Sequence, residues 1–563
     1  MCGIFFALSR SAHVLPDAST EQLLQKRGPD SIGKHCIQIP TPGTTFHATF
    51  ISTVLSLRGS QIVEQPLRNR ATGSVLCWNG EAWRVNGETV SENDSKFIFD
   101  QLSSVTSKTV QQRQESVALV VEFLSTVQGP FSLAFYDAVN KYLYFGRDCL
   151  GRRSLLRKLV DDGDLVLSSV CDNATGDRWQ EVEADGIYVV DLLQDLGCAA
   201  AIEILHIPHR RVDSTGPPGL SFTLPFPSLR RTLQTGDGLL LRQHVSKLRV
   251  VLNASLEVRV KHVRESVEGI TSTNTKVAIL FSGGLDCTVL ARMCHNLLPV
   301  TEGIDLLNVA FENPRIHGNL DPGTSPYELC PDRITARSSH TELLKVCPGR
   351  RWRLVEINVP YVETVSHRSC VISLMHPHNT EMDLSISLAL YFASRGVGAT
   401  RDSLDEPMRD YTTPAHVLLS GLGADELFGG YQRHATAYSR NGYHGLNDEL
   451  ALDFDRLGKR NLGRDDRVIS HSSKEVRFPY LDEDVIAMAL GLPVTAKCDF
   501  SNEQCLESED PARCLEPGKR ILRMLAWELG MKNVAAEKKR AIQFGTRTAK
   551  METGKTKGTN VLS

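Results

Sequence analysis

Short runs of β-branched and aromatic residues separated by turns fill the first third of the chain, among them Phe131 to Tyr136, Tyr142 to Phe145 and Gly186 to Val190. This alternation predicts stacked antiparallel sheets with helices outside. A different pattern takes over after residue 238. Val245, Leu248, Leu252, Leu256, Val260 and Val263 follow three- and four-residue spacing, which predicts a long amphipathic helix over 239–269. Apolar runs over 277–281, 306–311, 354–359 and 417–419 then read as strands, with helical patterns over 287–298, 332–346 and 381–395 between them. In the last of these Asp383 is read as a helix start. Strands alternating with helices predict a parallel, doubly wound sheet whose ligands bind beyond the carboxyl ends of its strands. Between the two patterns, residues 201–238 carry Pro208, Pro217, Pro218, Pro225 and Pro227 without periodicity, as a linker would. The chain divides on this reading into 2–190, a linker over 191–238, 239–545 and a disordered tail over 546–563, which is thin in apolar residues.

Composition narrows the picture. With 563 residues, 41% of them hydrophobic, the chain can bury more than one core, since single cores rarely grow past about 300 residues. Its 63 basic and 66 acidic residues nearly cancel, which argues against nucleic-acid or membrane partners and for small polar ones. Fourteen cysteines show no Cys-x-x-Cys pair, no leader pattern opens the chain, and no apolar stretch nears the ~20 residues that span a bilayer. The expected setting is the reducing cytoplasm.

The strongest chemical signal follows the strand at 277–281. It runs into Ser282-Gly283-Gly284-Leu285-Asp286, and a helix follows. Two residues without side chains let backbone approach a phosphate, and the helix N-terminus faces the anion with its N–H groups. Asp286 and Thr288 add oxygens at the same place, the kind a hard cation such as magnesium prefers. The turn resembles that of the pyrophosphate-loop ATPases, which cleave ATP to AMP and pyrophosphate; no Gly-x-x-x-x-Gly-Lys-Ser/Thr pattern occurs.

At the start of the chain, removal of Met1 would leave Cys2 with a free α-amino group. Nucleophile and base then come from one residue. Arg27-Gly28-Pro29-Asp30, Arg58, Trp78-Asn79-Gly80-Glu81, Asn93-Asp94 and Gly146-Arg147-Asp148 follow in order. That ordered set resembles the N-terminal-nucleophile (Ntn) glutamine amidotransferases, over about the first 190 residues. The resemblance implies that Cys2, at a strand edge, attacks the glutamine amide, with Asn79 and the Gly80 N–H as the oxyanion hole. Arg58 would hold the glutamine α-carboxylate and Asp94 its α-ammonium.

A second glycine turn, Ser420-Gly421-Leu422-Gly423-Ala424-Asp425-Glu426, follows the strand at 417–419, and Arg477-Phe478-Pro479-Tyr480-Leu481-Asp482 lies further on. With these, residues from about 275 to 545 resemble the asparagine synthetase domain, and the whole order resembles glutamine-dependent asparagine synthetases. The Arg460 to Arg467 run resembles that of the asparagine synthetase domain-containing subgroup; on pattern alone this run reads as a charge-balanced helix or loop. The implied fold is an α+β Ntn-hydrolase sandwich followed by an α/β doubly wound parallel-sheet ATP-pyrophosphatase domain. ATP and Mg²⁺ are the implied cofactors, with Gly421 and Gly423 at the nucleotide and Asp286, Asp425 and Glu426 at the metal. Glutamine and aspartate, or another small carboxylate, are the implied substrates, and asparagine the product.

Three positions depart from the family pattern. Leu422 stands where synthetases carry a glutamate, Ala541 where they carry a lysine, and Cys287 where they carry a serine. Two alternatives therefore stay open: a degenerate synthetase with a regulatory or scaffold role, and an amide ligase for another carboxylate.

Overall fold

The strand Gly3–Ser9, buried along its whole length, lies inside a six-stranded sheet. Its neighbours are Thr44–Val54 and Leu165–Ser168, both antiparallel to it. Cys2 thus begins a central strand and not an edge. A second, seven-stranded sheet runs in the order Phe222–Leu224, Leu205–Arg211, Gly186–Asp191, Tyr142–Arg147, Phe131–Asp137, Val75–Gly80, Leu67–Arg68. The two sheets share one core. Ile4, Phe6, Leu8, Phe50 and Leu167 from the first meet Val75, Cys77, Ala134, Tyr136, Leu143 and Phe145 from the second. Both are hydrophobic on the facing side, as alternation with a period of two requires. Helix Ala18–Arg27 packs on the first sheet, while Asp94–Ser107 and Arg113–Ser125 pack on each other and touch the second. This is the expected sandwich.

The computed structural model describes residues 2–108, 113–159, 163–172, 178–194, 202–214, 220–233, 238–264, 274–321, 323–401, 406–501, 510–551 and 559–562. By their contacts they form two units. One holds Met1–Pro225 with Ile372–His378 and Leu457–Ser473; the other holds Phe226–Val371, Asn379–Arg456 and Lys474–Ser563.

The second unit is built on a seven-stranded sheet ordered Arg409–Thr412, Val397–Thr400, Trp352–Val359, Ile304–Phe311, Val277–Leu280, Val417–Leu419, Glu475–Arg477. The last five are mutually parallel and the first two form an antiparallel edge. From Val277–Leu280 the chain steps outward through Ile304–Phe311 and Trp352–Val359, then returns to place Val417–Leu419 on the other side. The order reverses there, and the crevice outside such a reversal is where open α/β sheets bind ligands.

Two expectations need correction. Much of the stretch read as a linker is sheet: Leu205–Arg211 pairs with Gly186–Asp191, and Phe222–Leu224 pairs with Leu205–Arg211 in parallel. Pro208 stands opposite Gly186, next to His209, whose N–H donates to Asp185 O at 2.7 Å, so the missing proline N–H falls where the ladder needs none. Residues 195–201, 215–219 and 234–237 of that stretch lie outside the described residues, as do 265–269 of the expected long helix, seen as Gly238–Val260. The described parts of the expected disordered tail are hydrogen-bonded. Thr546 is buried and its carbonyl accepts from Phe311 N at 3.1 Å, and Asn560 O accepts from Glu381 N at 3.0 Å. Residues 552–558 of the tail lie outside the described residues.

The run at 460–467 is helical from Leu462, as one of its two readings had it. Pattern gave no sign of its burial: every residue of helix Leu462–Ser470 is buried, including Arg464, Asp465, Asp466 and Arg467, while Arg460 is exposed. Hydrophobic periodicity cannot find such a helix, because its buried surface is held by ion pairs. Elsewhere local chemistry reads true, as where Thr380 Oγ1 accepts from Asp383 N at 3.2 Å and caps Glu381–Arg395. Among the described residues no helix is long and apolar enough to cross a membrane, and no cysteine is in a disulfide.

Candidate active sites

In the first unit, strand Val75–Gly80 delivers Asn79 and Gly80 to its carboxyl end, where Asn79 pairs with Ser132 and Gly80 with Phe131. Asn79 is fully buried. Its Nδ2 lies a long 3.5 Å from Ser132 Oγ, and its Oδ1 has no hydrogen-bond partner. A buried amide so loosely engaged holds its donor in reserve. Beside it, Asp94 accepts from Trp78 Nε1 at 3.0 Å and from Ala82 N at 2.9 Å. Burial pushes the Asp94 carboxyl above its ordinary range, against the pull of the Arg58 charge and these two bonds.

Arg58 is buried with its guanidinium against Glu81 Oε2 at 3.2 Å and Ala82 O at 3.0 Å, and it also donates to Val90 O. One cation and two carboxylates thus surround the backbone just past Asn79 and Gly80. That is the charge pattern an α-amino acid presents in reverse. For Arg58 to take a carboxylate it must exchange some of these bonds, and Glu81, to which the sequence reading gave no part, is its anionic partner until then. Cys2 is half-buried, and its carbonyl accepts from Arg27 Nε at 3.2 Å.

The other motif residues in this unit build the frame. Asp148 accepts from Phe131 N at 3.1 Å and from Arg152 N at 2.8 Å, so it ties the strand holding Ser132 to the loop after Arg147. Asp30 accepts from Ser56 N at 2.7 Å.

In the second unit the two glycine turns leave neighbouring parallel strands and lie against each other. A Cβ on Gly421 would come within 2.8 Å of Asp286 Cβ. Gly283 sits at φ +79°, and a Cβ there would strike the backbone of Ala336, so only glycine serves. Ser282 Oγ accepts from Gly284 N at 3.3 Å, and Gly284 caps helix Leu285–Leu297. Thr288 Oγ1 donates back to Gly284 O at 2.8 Å and so braces the turn from within the helix. Gly423, at φ +100°, opens the short helix Ala424–Phe428.

The carboxylates expected at the metal separate into two groups. Lys519 Nζ lies 2.6 Å from Asp286 Oδ2 and 2.7 Å from Asp425 Oδ1, and Lys539 Nζ bonds Asp425 Oδ2. Burial would raise the Asp425 carboxyl, but Lys519 and Lys539 overcome it and hold it below the ordinary range. Asp286 and Asp425 therefore aim hard oxygen donors at one point where a lysine now supplies the positive charge. This donor chemistry fits a magnesium ion held by Asp286 and Asp425.

Glu426 does not join them. Consecutive helical residues point about 100° apart, and Glu426 Oε1 accepts instead from Tyr431 Oη at 2.6 Å. Among the described residues no three His, Cys, Asp or Glu side chains are grouped to hold a metal. Lys519 was missed by pattern. Its one structural mark, a non-glycine residue at φ +54°, is invisible in sequence and costs about 1 kcal/mol, strain of the kind that collects at functional sites. Lys539 stands two residues before Ala541 and reaches Asp425 from there.

Near these lysines, burial pushes Asp332 up to about 7 against the pull of Arg540 and Lys539. The unfolded carboxyl titrates near ~4, so the folded chain binds more protons between about pH 4 and 7, and stability falls as pH rises through that window. Asp332→Asn is expected to be the more stable protein above pH 7, by a few kcal/mol at most, with the difference vanishing below about pH 4. Thermal melts across this range check it.

Two family models match separate stretches of the chain. The model of the glutamine amidotransferase domain family matches residues 1–201, and that of asparagine synthase matches 408–444 and 438–558. Fold and sites thus define an asparagine-synthase-type protein with an amino-terminal glutamine amidotransferase domain. Asparagine synthetase domain-containing protein 1 of Mus musculus is 33% identical over 98% of this chain and 97% of its own length. An asparagine synthetase domain-containing protein of Saccharomyces cerevisiae is 34% identical over 92% and 87%. The glutamine-hydrolysing asparagine synthetase of Cricetulus griseus is 22% identical over 88% and 77%. The chain belongs to the family of asparagine synthetase domain-containing proteins.

Proposed function

We propose that the chain is a glutamine-dependent amidotransferase that releases ammonia from glutamine at Cys2 and uses it on a carboxylate, aspartate foremost, activated by ATP. The observation that carries the reading is the pairing of Asp286 and Asp425 on one lysine, at the ends of neighbouring strands where two glycine turns meet. Glutamine would enter with its α-carboxylate toward Arg58 and its α-ammonium toward Asp94. The Cys2 thiol then attacks the side-chain amide carbon, and its own α-amine takes the thiol proton. Asn79 Nδ2 and Gly80 N meet the oxyanion as the carbonyl becomes tetrahedral. The amine proton passes to the departing nitrogen, and water releases glutamate.

In the second unit the backbone of Ser282 to Gly284 would cradle the phosphates, and Lys519 and Lys539 would balance their charge. A magnesium ion held by Asp286 and Asp425 would stabilise charge on the departing pyrophosphate. Lys539 takes the part that a lysine at 541 plays in the resembling synthetases.

Asn79→Ala is expected to lower kcat for glutamate release by ~10²- to 10³-fold, the usual cost of one oxyanion donor. KM for glutamine, set by Arg58 and Asp94, should barely move. The deciding experiment for the whole reading is pyrophosphate release in ATP, magnesium and glutamine, with and without aspartate. Release that needs aspartate supports it; glutamate without pyrophosphate overturns the synthetase half. Leu422 favours the second reading, a protein that keeps both pockets but not amide formation, because a leucine cannot exchange the proton that the replaced glutamate would.

A further inference from the structure

Four consecutive charged residues, Arg464 to Arg467, are buried within the first unit, although the residues on either side of Leu457–Ser473 in the chain belong to the second. Ionised groups out of water cost several kcal/mol each unless paired, so their partners tell what the segment is for. Arg464 pairs with its neighbour Asp465 at 2.8 Å. Arg467 donates to Glu181 at 2.9 Å, Ser154 Oγ at 2.7 Å and Leu374 O at 3.1 Å. Burial would raise Glu181, but Arg467 and Arg147 hold it below the ordinary carboxylate range.

Asp466 is different, because its partners lead to the candidate glutamine site. Its Oδ2 accepts from Arg27 Nη2 at 2.8 Å, and Ser470 Oγ, one turn on, accepts from Arg27 Nη1 at 2.6 Å. The third arm of the same guanidinium, Nε, donates to the carbonyl of Cys2. Asp466 Oδ2 also accepts from Ser154 N at 3.1 Å. Ser154 O in turn accepts from Ser132 Oγ at 3.3 Å, the hydroxyl that faces Asn79 Nδ2. One fully buried carboxylate oxygen therefore braces the backbone of the nucleophile on one side and the support of the oxyanion donor on the other.

We propose that Asp466 is a positioning residue for glutamine cleavage, setting Cys2 through Arg27 and Asn79 through Ser154 and Ser132. The proposal rests on the reading of Cys2 as the nucleophile. The Arg27 bond to the Cys2 carbonyl sets where the strand terminus lies, and displacement of a reacting atom by about 1 Å can cost ~10²-fold in rate. The charge of Asp466 matters because a charge-assisted bond locks a guanidinium more firmly than a neutral one.

The test uses the full chain and 6-diazo-5-oxo-L-norleucine, a glutamine analogue that alkylates a nucleophilic thiol, with labelled Cys2 counted by mass spectrometry. In Asp466→Asn, which keeps an acceptor oxygen, the labelling rate should fall at least tenfold while labelling still reaches one group per chain. Steady-state glutamine cleavage should lose kcat to the same degree with KM within about twofold. Ser470→Ala removes only one hydroxyl from Arg27, so it serves if Asp466→Asn fails to fold; about a threefold slower labelling is expected.

A merely structural role would give fewer reactive chains, each labelled at the ordinary rate, and that result overturns the proposal. So do unchanged rates in both variants. If the unaltered chain is not labelled at all, the glutaminase reading falls and this inference with it. Labelling of the unaltered chain keeps the two failures apart.

Discussion

Cys2→Ala should abolish glutamate release from glutamine, by at least ~10³-fold, because it removes the only atom proposed to bond the substrate carbon. The same variant should still release pyrophosphate when ammonium chloride replaces glutamine, since Asp286, Asp425 and their lysines are untouched. The paired result is what makes the prediction sharp. Loss of both activities would mean that Cys2 supports the fold and does not only act on glutamine, and a thermal melt would show it. Loss of neither would remove Cys2 from the mechanism. The protein used must have its methionine removed, confirmed by intact mass, because the base assigned to the thiol is the amine that this removal exposes.

Asp286→Ala should have the opposite signature. Pyrophosphate release should drop by at least ~10²-fold, the scale on which one preorganised electrostatic group at a reaction centre is felt, and ammonia should not restore it. Glutamate release should stay within about twofold. The geometry behind this is specific: Asp286 and Asp425 share Lys519, at 2.6 Å and 2.7 Å, so removing one carboxylate breaks the arrangement that sets two hard donors at one point. Lys519 keeps Asp425 as its counter-ion, so the variant should fold. A coupled pyrophosphate assay and a glutamate assay on one preparation check both halves. If pyrophosphate release survives the substitution, the carboxylate pair is a structural ion network and the nucleotide site lies elsewhere.

What could be read from the chain itself was local. Glycine turns after short apolar runs, the cap at Thr380 and the period of the strands are set by neighbours within a few residues, and the structure places them where pattern does. The ordered motifs around Asn79, Asp94, Asp286 and Asp425 were legible for the same reason, since each is a short string whose backbone geometry demands particular residue types. Three things were not. Leu205–Arg211 looked like linker because its proline and charges give no strand pattern, and only its pairing with Gly186–Asp191 and Phe222–Leu224 makes it a strand. Lys519 joined Asp286 and Asp425 from more than 90 residues further along the chain, through a backbone angle that no residue type signals. The burial of Arg464 to Arg467 was not legible because charge is normally outside, and only partners as distant in sequence as Arg27 and Glu181 allow it. Sequence by itself determined the elements with a clear apolar period, the two glycine turns and the residue types around them, because these follow from steric and hydrogen-bonding needs within a turn or a strand. Tertiary structure alone decided which charges meet, because an ion pair requires only that two groups arrive at one place, however far apart they stand in the chain.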